Sequence, residues 1–578
     1  MEELQEDRNR QARDELASWR RRMPVDYLLA DANFQHVLKM HLGEDYLRHE
    51  SMLRRAACLS ATRMDALART SNRDENLPRL SRYNGIGERT EQIVFHPDYH
   101  ELGACVWDTG VLAVLKEPGN EVLCGALAYF IAHNGEAGHA CPVACTAGLI
   151  KLLQQIGSNE QKQRYLPGLL QTDYAKRLHA AQFVTEVQGG SDVAQNSTVA
   201  VPDARRKGLY RITGEKWFCS VMDAGLFVVT ARPEGAPEGT QGLGLFLVPR
   251  EIDGKVNEFS IRRLKYKLGT RSMASAEVDF NGALAEPIGP LESGFKNLME
   301  IVIDTSRVHN AVAACGLMRR ACLDARSYAR HRSAFGSPLI QFPAVAHLLA
   351  RMDVTACAAV STTFRILALG DRLATGAATP DAELARRTWV NINKYWTSIQ
   401  CTRVIHDAIE VLGGNGTIEE FSVLPRLYRD AIVLESWEGA HNTLCAQVLR
   451  DFAKRGLHRP WLKMMHGMLS EAEGFEIPGP LRHQAGQLLN EVESRIGRLL
   501  SEKPEYAALH IRGVVDHMCV LSACLSLLLE YAWETGQGVD SGKGSKAALF
   551  LTLHAGLADP MDQAELPRRI QEVCASWD

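Results

Sequence analysis

Four short runs, LYRITGEKWF, GLFVVTARP, GLGLFLVPRE and SMASAEVDF, lie between Leu209 and Phe280. They are rich in β-branched and aromatic residues and are separated by Gly and Pro turns, which is the signature of strands. On either side the apolar residues recur at three and four, through Leu123 to Leu153 before the runs and from Gly294 to about Lys454 after them. A chain that changes period twice reads as a β unit set between helical units. The expected fold is mainly α with a central β domain: a helical domain at 1–175, a β domain at 176–290, a helical bundle at 291–455 and a helical extension at 456–578. Gly157-Ser158-Asn159-Glu160 is expected to end one helix and cap the next. The bundle is expected to break at Gly336-Ser337-Pro338 and at Gly413-Gly414-Asn415-Gly416.

With 578 residues the chain exceeds what one core can serve. Hydrophobic residues make up 46%, charged residues 23%, and the net charge is −4, so no global attraction to polyanions is expected and nucleic acid is not the default partner. From His458 onward, 11 Lys and Arg face 16 Asp and Glu, which makes the extension mildly acidic. The charged start MEELQEDRNRQARDELASWRRR lacks the apolar core of a secretory signal, so a cytoplasmic protein is expected. Fourteen Cys without a CxxC pair read as buried thiols. The longest apolar run, Met518 to Leu529, is short of the roughly 20 residues that span a bilayer and reads as a core helix. Pro478-Gly479-Pro480 reads as a linker within the extension.

Three stretches carry candidate chemistry. In Trp437-Glu438-Gly439 a carboxylate follows an indole that strips water from it and precedes a Gly that permits close approach. Burial raises such a pKa toward that of a working base, while the plain alternative is a helix-capping acid. In Phe183-Val-Thr-Glu-Val-Gln-Gly-Gly-Ser-Asp192, clustered hydroxyls and a Gly pair offer donors to a flat polar or phosphate-bearing ligand, or form an ordinary turn. In His133-Asn-Gly-Glu136-Ala-Gly-His139, three polar side chains fall three apart on one expected helical face. They are candidates for a metal set, for pocket polarity or for satisfied core polar groups.

In order along the chain come the GGSD turn, KWFCS, KLGTRSMAS, Arg332-Ser-Ala-Phe-Gly336, Leu412-Gly-Gly-Asn-Gly416, PRLYRD and WEG. With these the sequence resembles the acyl-CoA dehydrogenase family over roughly residues 90 to 455, nearest to its AidB-like branch with an extra helical tail. The resemblance implies an FAD-dependent oxidoreductase of fatty acid metabolism that dehydrogenates an acyl-CoA thioester and passes electrons to an electron-transferring flavoprotein. No GxGxxG stands in a strand-turn-helix setting, so FAD would be held without a Rossmann site. Glu438 matches the family's catalytic base. Phe183, Thr185, Gly190, Ser191, Phe218, Ser220, Trp437 and Asn442 are implied to hold the flavin. Arg332, Phe335, Glu410, Gly413 and Gly414 are implied to hold the pyrophosphate and adenine end across a homodimer or homotetramer interface. Arg307, Asn134, Glu136 and Gly439 are implied to line the substrate site. The sequence departs from the family pattern at Ala440, where a hydroxyl is common, and at Glu410, where a Gln is common. Two other readings are a DNA-associated flavoprotein with vestigial activity, which would call for a basic tail, and an acyl-sequestering protein that keeps FAD as a structural group.

Overall fold

The structure is a computed structural model and describes residues 2–475, 477–556 and 560–577. The N-terminal part is helical except for an antiparallel hairpin, Arg79–Tyr83 with Arg89–Val94, where unbroken helix was expected. Its strands are mostly polar or charged and only Glu91 and Ile93 are buried, so apolar periodicity carried no sign of it. Asn84 shapes the turn, its side chain accepting from the N–H groups of Ile86 and Glu88. The apolar stretch 123–153 is two helices, Glu121–Ala132 and Ala137–Ile156, with a break at 133–136. After the second, Ser158 caps Asn159–Leu169 in a reciprocal pair with Gln161.

In the β domain, Ser275–Pro287, Tyr210–Ser220, Val199–Pro202, Leu226–Pro233 and Gly244–Pro249 pair in sequence, and the last strand returns to the first. This closed ring removes its own edges. Phe259–Leu264 adds to it along Ser275–Pro287, and Ala180–Phe183 adds in parallel to Leu226–Pro233. Its core is aromatic and aliphatic, with Phe183, Phe227, Phe246, Phe259 and Phe280 buried inside.

The bundle is built on three long helices, Asp304–His331, Pro343–Ala374 and Pro380–Leu412. Its last column is two helices, Leu424–Ser436 and His441–Arg455, separated by the turn Trp437–Ala440. A π-helical segment, Leu298–Ile303, leads into the first long helix. Among the described residues five α-helices form the extension, and Pro504–Gly536 packs against Pro343–Ala374, His441–Arg455 and His458–Glu473. Pro478–Pro480 is the beginning of Gly479–Ser501 rather than a free linker. Pro343–Ala374 and Pro504–Gly536 are long and apolar enough to cross a membrane, but 89% and 83% of their most apolar windows are buried within the fold.

A buried ion pair ties the extension to the rest. Lys543 Nζ donates to Glu530 Oε2 at 2.6 Å and to Asn33 Oδ1 of the helix Ala32–Leu42. Ser361 Oγ from the bundle donates to the same Glu530 oxygen at 2.6 Å. Lys543→Met leaves Glu530 buried without its cation and is expected to cost about 3–5 kcal/mol. A lowered urea midpoint and earlier protease cleavage within 456–578 would report it. Lys543→Met with Glu530→Leu is expected to recover most of that loss.

Candidate active site

Three irregularities in otherwise regular helices meet at one cavity of about 960 Å³: the break at 133–136, the π-segment Leu298–Ile303 and the turn Trp437–Ala440. Such departures from the α-helix recur at functional sites because they turn backbone and side chains toward a ligand. Glu438 lies on the wall of this cavity with φ +56, a left-handed conformation that costs a non-Gly residue about 1–3 kcal/mol. The surroundings hold it there. Arg307 Nε donates to the carbonyl of Glu438 at 2.9 Å, and its other nitrogens reach Asn391 Oδ1 and Gln447 Oε1. Lys394 Nζ donates to the carbonyls of Glu435 at 3.0 Å and Gly439 at 2.9 Å, bracing the turn from both sides.

The Glu438 carboxylate accepts one hydrogen bond, from Gln182 Nε2 at 3.2 Å, and the same nitrogen also donates to Ser306 Oγ at 3.0 Å. Burial pushes the Glu438 pKa up to about 7, against the pull of Arg307 and Lys394. Burial likewise lowers Lys394 to about 7. A carboxyl group at about 7 is half ionised at neutral pH and holds a proton strongly enough to act as a base.

Thr185, Gly190, Ser191, Phe218, Ser220, Trp437, Gly439, Arg307 and Glu136 all lie on the cavity wall. A Cβ on Gly190 would come 2.8 Å from Thr185 Oγ1, so glycine keeps that hydroxyl clear. Phe218 is 52% exposed, a bare aromatic face at the cavity. Gln182 Oε1, also on the wall, is buried without a hydrogen-bond partner. Hydroxyl donors, a bare ring and an unpaired amide oxygen suit a planar heterocycle with polar edges, so the wall fits a flavin.

Other expected positions lie elsewhere. Phe183 is buried in the β core against Phe227, because side chains alternate along Ala180–Phe183 and Gln182 takes the cavity side. Asn134 is a structural residue: its Nδ2 donates to Ser60 Oγ at 3.0 Å and its carbonyl accepts from Arg426 Nε at 2.9 Å. Asn442 is exposed and off the wall. Thr443, next along the same helix, is on it and lies 3.1 Å from Ser191 Oγ.

His133 lies in the break and His139 on the helix that follows it, so the expected single face does not exist. Each ring donates to a carbonyl at 2.8 Å, His133 to Tyr129 and His139 to Tyr99, and burial lowers both to about 3. Glu136 alone reaches the wall, bonded to Ser272 and Asn72. Arg332, Phe335, Glu410, Gly413 and Gly414 lie away from the cavity. Arg332 pairs with Glu15, Phe335 is 98% exposed, Gly413 caps its helix at φ +61, and a Cβ on Gly414 would have open space around it. Glu410 is exposed beside His406 and Asp407.

Sequence reasoning missed Gln182, Thr443, Lys267 and Lys394. A Gln directly before the Phe183 motif and a Thr at the end of WEGAHNT, in the first turn of its helix, were visible only once strand and helix phases were known.

Residues 20–176 match the family model for the adaptive response protein AidB N-terminal domain, 181–283 the acyl-CoA dehydrogenase middle domain, and 292–452 the acyl-CoA dehydrogenase C-terminal domain. The chain is 33% identical over 471 residues to AidB of Escherichia coli (strain K12), covering 79% of this chain and 81% of that protein. It is 31% identical over 422 residues to acyl-CoA dehydrogenase family member 11 of Caenorhabditis elegans, covering 71% and 67%. The crystal structure of Caenorhabditis elegans ACDH-11 in complex with C11-CoA superposes with a TM-score of 0.82 at 25% identity, covering 89% of each chain. The apo-form of Bd2924 superposes with a TM-score of 0.80 at 27% identity, covering 88% of this chain and 98% of that one. With its motifs, fold and cavity in agreement, the chain belongs to the acyl-CoA dehydrogenase family of FAD-binding oxidoreductases.

Proposed function

We propose that this protein dehydrogenates an acyl-CoA thioester between Cα and Cβ, with Glu438 as the base that removes the α-proton. The observation that carries this reading is a carboxyl group at about 7, strained into a helix break on the wall of a large cavity. FAD bound along Thr185, Ser191, Phe218, Ser220 and Thr443 supplies the acceptor for the β-hydride. Ala128, Ala132, Leu298, Met299, Ala313 and Leu317 give the cavity an apolar part suited to an acyl chain. No protein acceptor takes the backbone N–H of Glu438 among the described residues, which leaves it for a thioester carbonyl, where charge gathers as the α-proton leaves. Arg307 and Lys394 do not abstract a proton themselves. They fix the turn, and their charges favour the ionised base.

The exposed segment around Phe335 and the exposed glycines 413 and 414 support a second copy of the chain completing the adenine end of the FAD site, hence a homodimer or homotetramer. We also assign an electron-transferring flavoprotein as acceptor and a cytoplasmic location.

Anaerobic mixing with a panel of acyl-CoAs should bleach the bound flavin. Glu438→Gln is expected to retain FAD and bind acyl-CoA while the reduction rate falls about 10²–10⁴-fold. Tight ligand binding without bleaching by the unmodified protein would instead mark an acyl-sequestering protein. For the active protein, the rate should fall about tenfold per pH unit below about 7, as Glu438 becomes protonated.

The same shift bears on stability. The folded pKa lies above the ordinary 4.5, so the native state holds this proton more tightly than the unfolded chain. The resulting stability is complete below 4.5 and is lost as the pH rises to about 7. Glu438→Gln is therefore expected to be more stable than the parent at pH 8, by roughly 1–3 kcal/mol, with the gap closing toward pH 4.5. Thermal melts at the two pH values read this directly.

A further inference from the structure

Opposite the chemistry of Glu438, the cavity wall carries a cation that the proposed mechanism does not use. Lys267 follows the strand Phe259–Leu264 in the loop to Ser275–Pro287, and its ammonium group is half-buried at the cavity. A buried lysine ordinarily finds a carboxylate. Glu136, from the helix break, and Asp430, on Leu424–Ser436, both face it, as does the Cys141 thiol on Ala137–Ile156. Yet among the described residues no carboxylate oxygen lies within 4.0 Å of Lys267 Nζ. Glu136 is occupied by Ser272 and Asn72, and Asp430 accepts the N–H of Thr270 at 2.6 Å. Burial raises both acids, Asp430 to about 7, so Asp430 is only a partial counter-charge at neutral pH.

The ammonium group instead donates to the carbonyl of Met273 at 2.8 Å and to Ser275 Oγ at 2.9 Å. Ser275 Oγ is in turn 3.0 Å from Ser220 Oγ, its partner across the paired strands Ser275–Pro287 and Tyr210–Ser220. Lys267, Ser275 and Ser220 all lie on the cavity wall, Ser220 two positions along its strand from Phe218.

The lysine fixes the direction of the first of these contacts. An ammonium nitrogen has only donors, so Ser275 must accept from Lys267. The Ser275 hydroxyl is then free to donate to Ser220, and the Ser220 hydroxyl is left to donate to a ligand in the cavity. The geometry points to Lys267–Ser275–Ser220 as a hydrogen-bond relay that presents a donor, polarised by the lysine charge, to the reactive edge of the flavin and sets how readily that flavin is reduced. It rests on the reading that FAD lies along Phe218 and Ser220.

A relay of two hydroxyls also suits both states of such a ring. Such a ring, once bound, would offer Ser220 an acceptor in its oxidised form and a donor in its reduced form. Ser220 could then accept and turn its own hydrogen to the second lone pair of Ser275, once the Ser275 hydrogen rotates out of the contact. Nothing but hydroxyl rotation is required, and the lysine keeps its charge throughout. That charge favours the electron-rich reduced ring. Burial lowers Lys267 to about 8, so its contribution should fade on the alkaline side of neutrality.

The flavin midpoint potential of the FAD-loaded protein, followed spectrally with redox dyes from pH 6.5 to 9.5, tests the relay. Lys267→Met is expected to bind FAD and to make reduction about tenfold less favourable at pH 7, about 30 mV for a two-electron couple. This gap should close above pH 8 as the parent lysine loses its proton. Ser275→Val should reproduce the effect and Ser275→Thr, which keeps the hydroxyl, should not, which also covers the event that Lys267→Met does not fold. Potentials and pH slopes for Lys267→Met and Ser275→Val that match the parent would overturn the relay while leaving the dehydrogenase reading intact. Failure of the parent chain itself to bind FAD would overturn both.

Discussion

Everything at the cavity depends on holding one carboxylate in a backbone conformation it would not choose. Glu438 has φ +56 in a turn between two helices, and neither helix supplies hydrogen bonds that would fix it. The restraint comes from two buried cations on neighbouring helices of the bundle. Arg307 on Asp304–His331 grips the carbonyl of Glu438 itself, and Lys394 on Pro380–Leu412 grips the carbonyls on either side. These side chains serve as struts and as charges at once. Their hydrogen bonds offset the strain of the turn, and their field keeps burial from raising the base still further. The long helices of the bundle matter to the chemistry because they place both cations at one break in their neighbour.

Much of this architecture was legible in the sequence, because it rests on signals that survive in one dimension. The alternation of LYRITGEKWF and its neighbours marked the β domain, Gly413 ended its helix at φ +61, and Gly336-Ser337-Pro338 fell in the connection between Asp304–His331 and Pro343–Ala374. What was lost was phase. Phe183 and Gln182 are adjacent, yet a strand sends them to opposite faces, so a motif read as a block named the wrong one. Asn442 and Thr443 differ by about 100° around their helix, and only the second meets the cavity. His133, Glu136 and His139 shared a face only if the helix continued, and the break at 133–136 dissolved that face. The hairpin at 79–94 left no apolar trace at all. Lys394 was invisible for another reason: its partners are carbonyls 41 and 45 residues further along the chain, and main-chain acceptors have no sequence.

The helical extension is bound in by polar contacts as well as by its apolar face. Glu530, Lys543, Asn33 and Ser361 form one buried cluster joining three parts of the chain, and His36 adds a contact to Glu534 at 2.8 Å. A hydrophobic surface alone would tolerate sliding of one helix over another. A buried ion pair tolerates little, since a displacement of a few ångströms leaves each charge without a partner. The extension thereby fixes Pro343–Ala374, which packs directly on Asp304–His331, the helix that carries Arg307.

The ionisable groups around the cavity share one tendency. Burial moves Glu438 and Asp430 up to about 7 and Lys267 down to about 8, so each sits near the point where charge and neutrality cost the same. A wall of fixed charges would bind water or counter-ions firmly and would have to shed them before an apolar acyl chain could enter. Groups balanced in this way give up less solvation when a ligand displaces water. Once the cavity is dry, the lower dielectric makes every remaining charge act more strongly on its neighbours. The contrast with Lys543, whose carboxylate partner is permanent, is instructive. In the extension a buried cation has been neutralised by Glu530 to hold structure, whereas at the cavity Lys267 meets only a carbonyl and a hydroxyl, and its charge remains free to act on whatever fills the space.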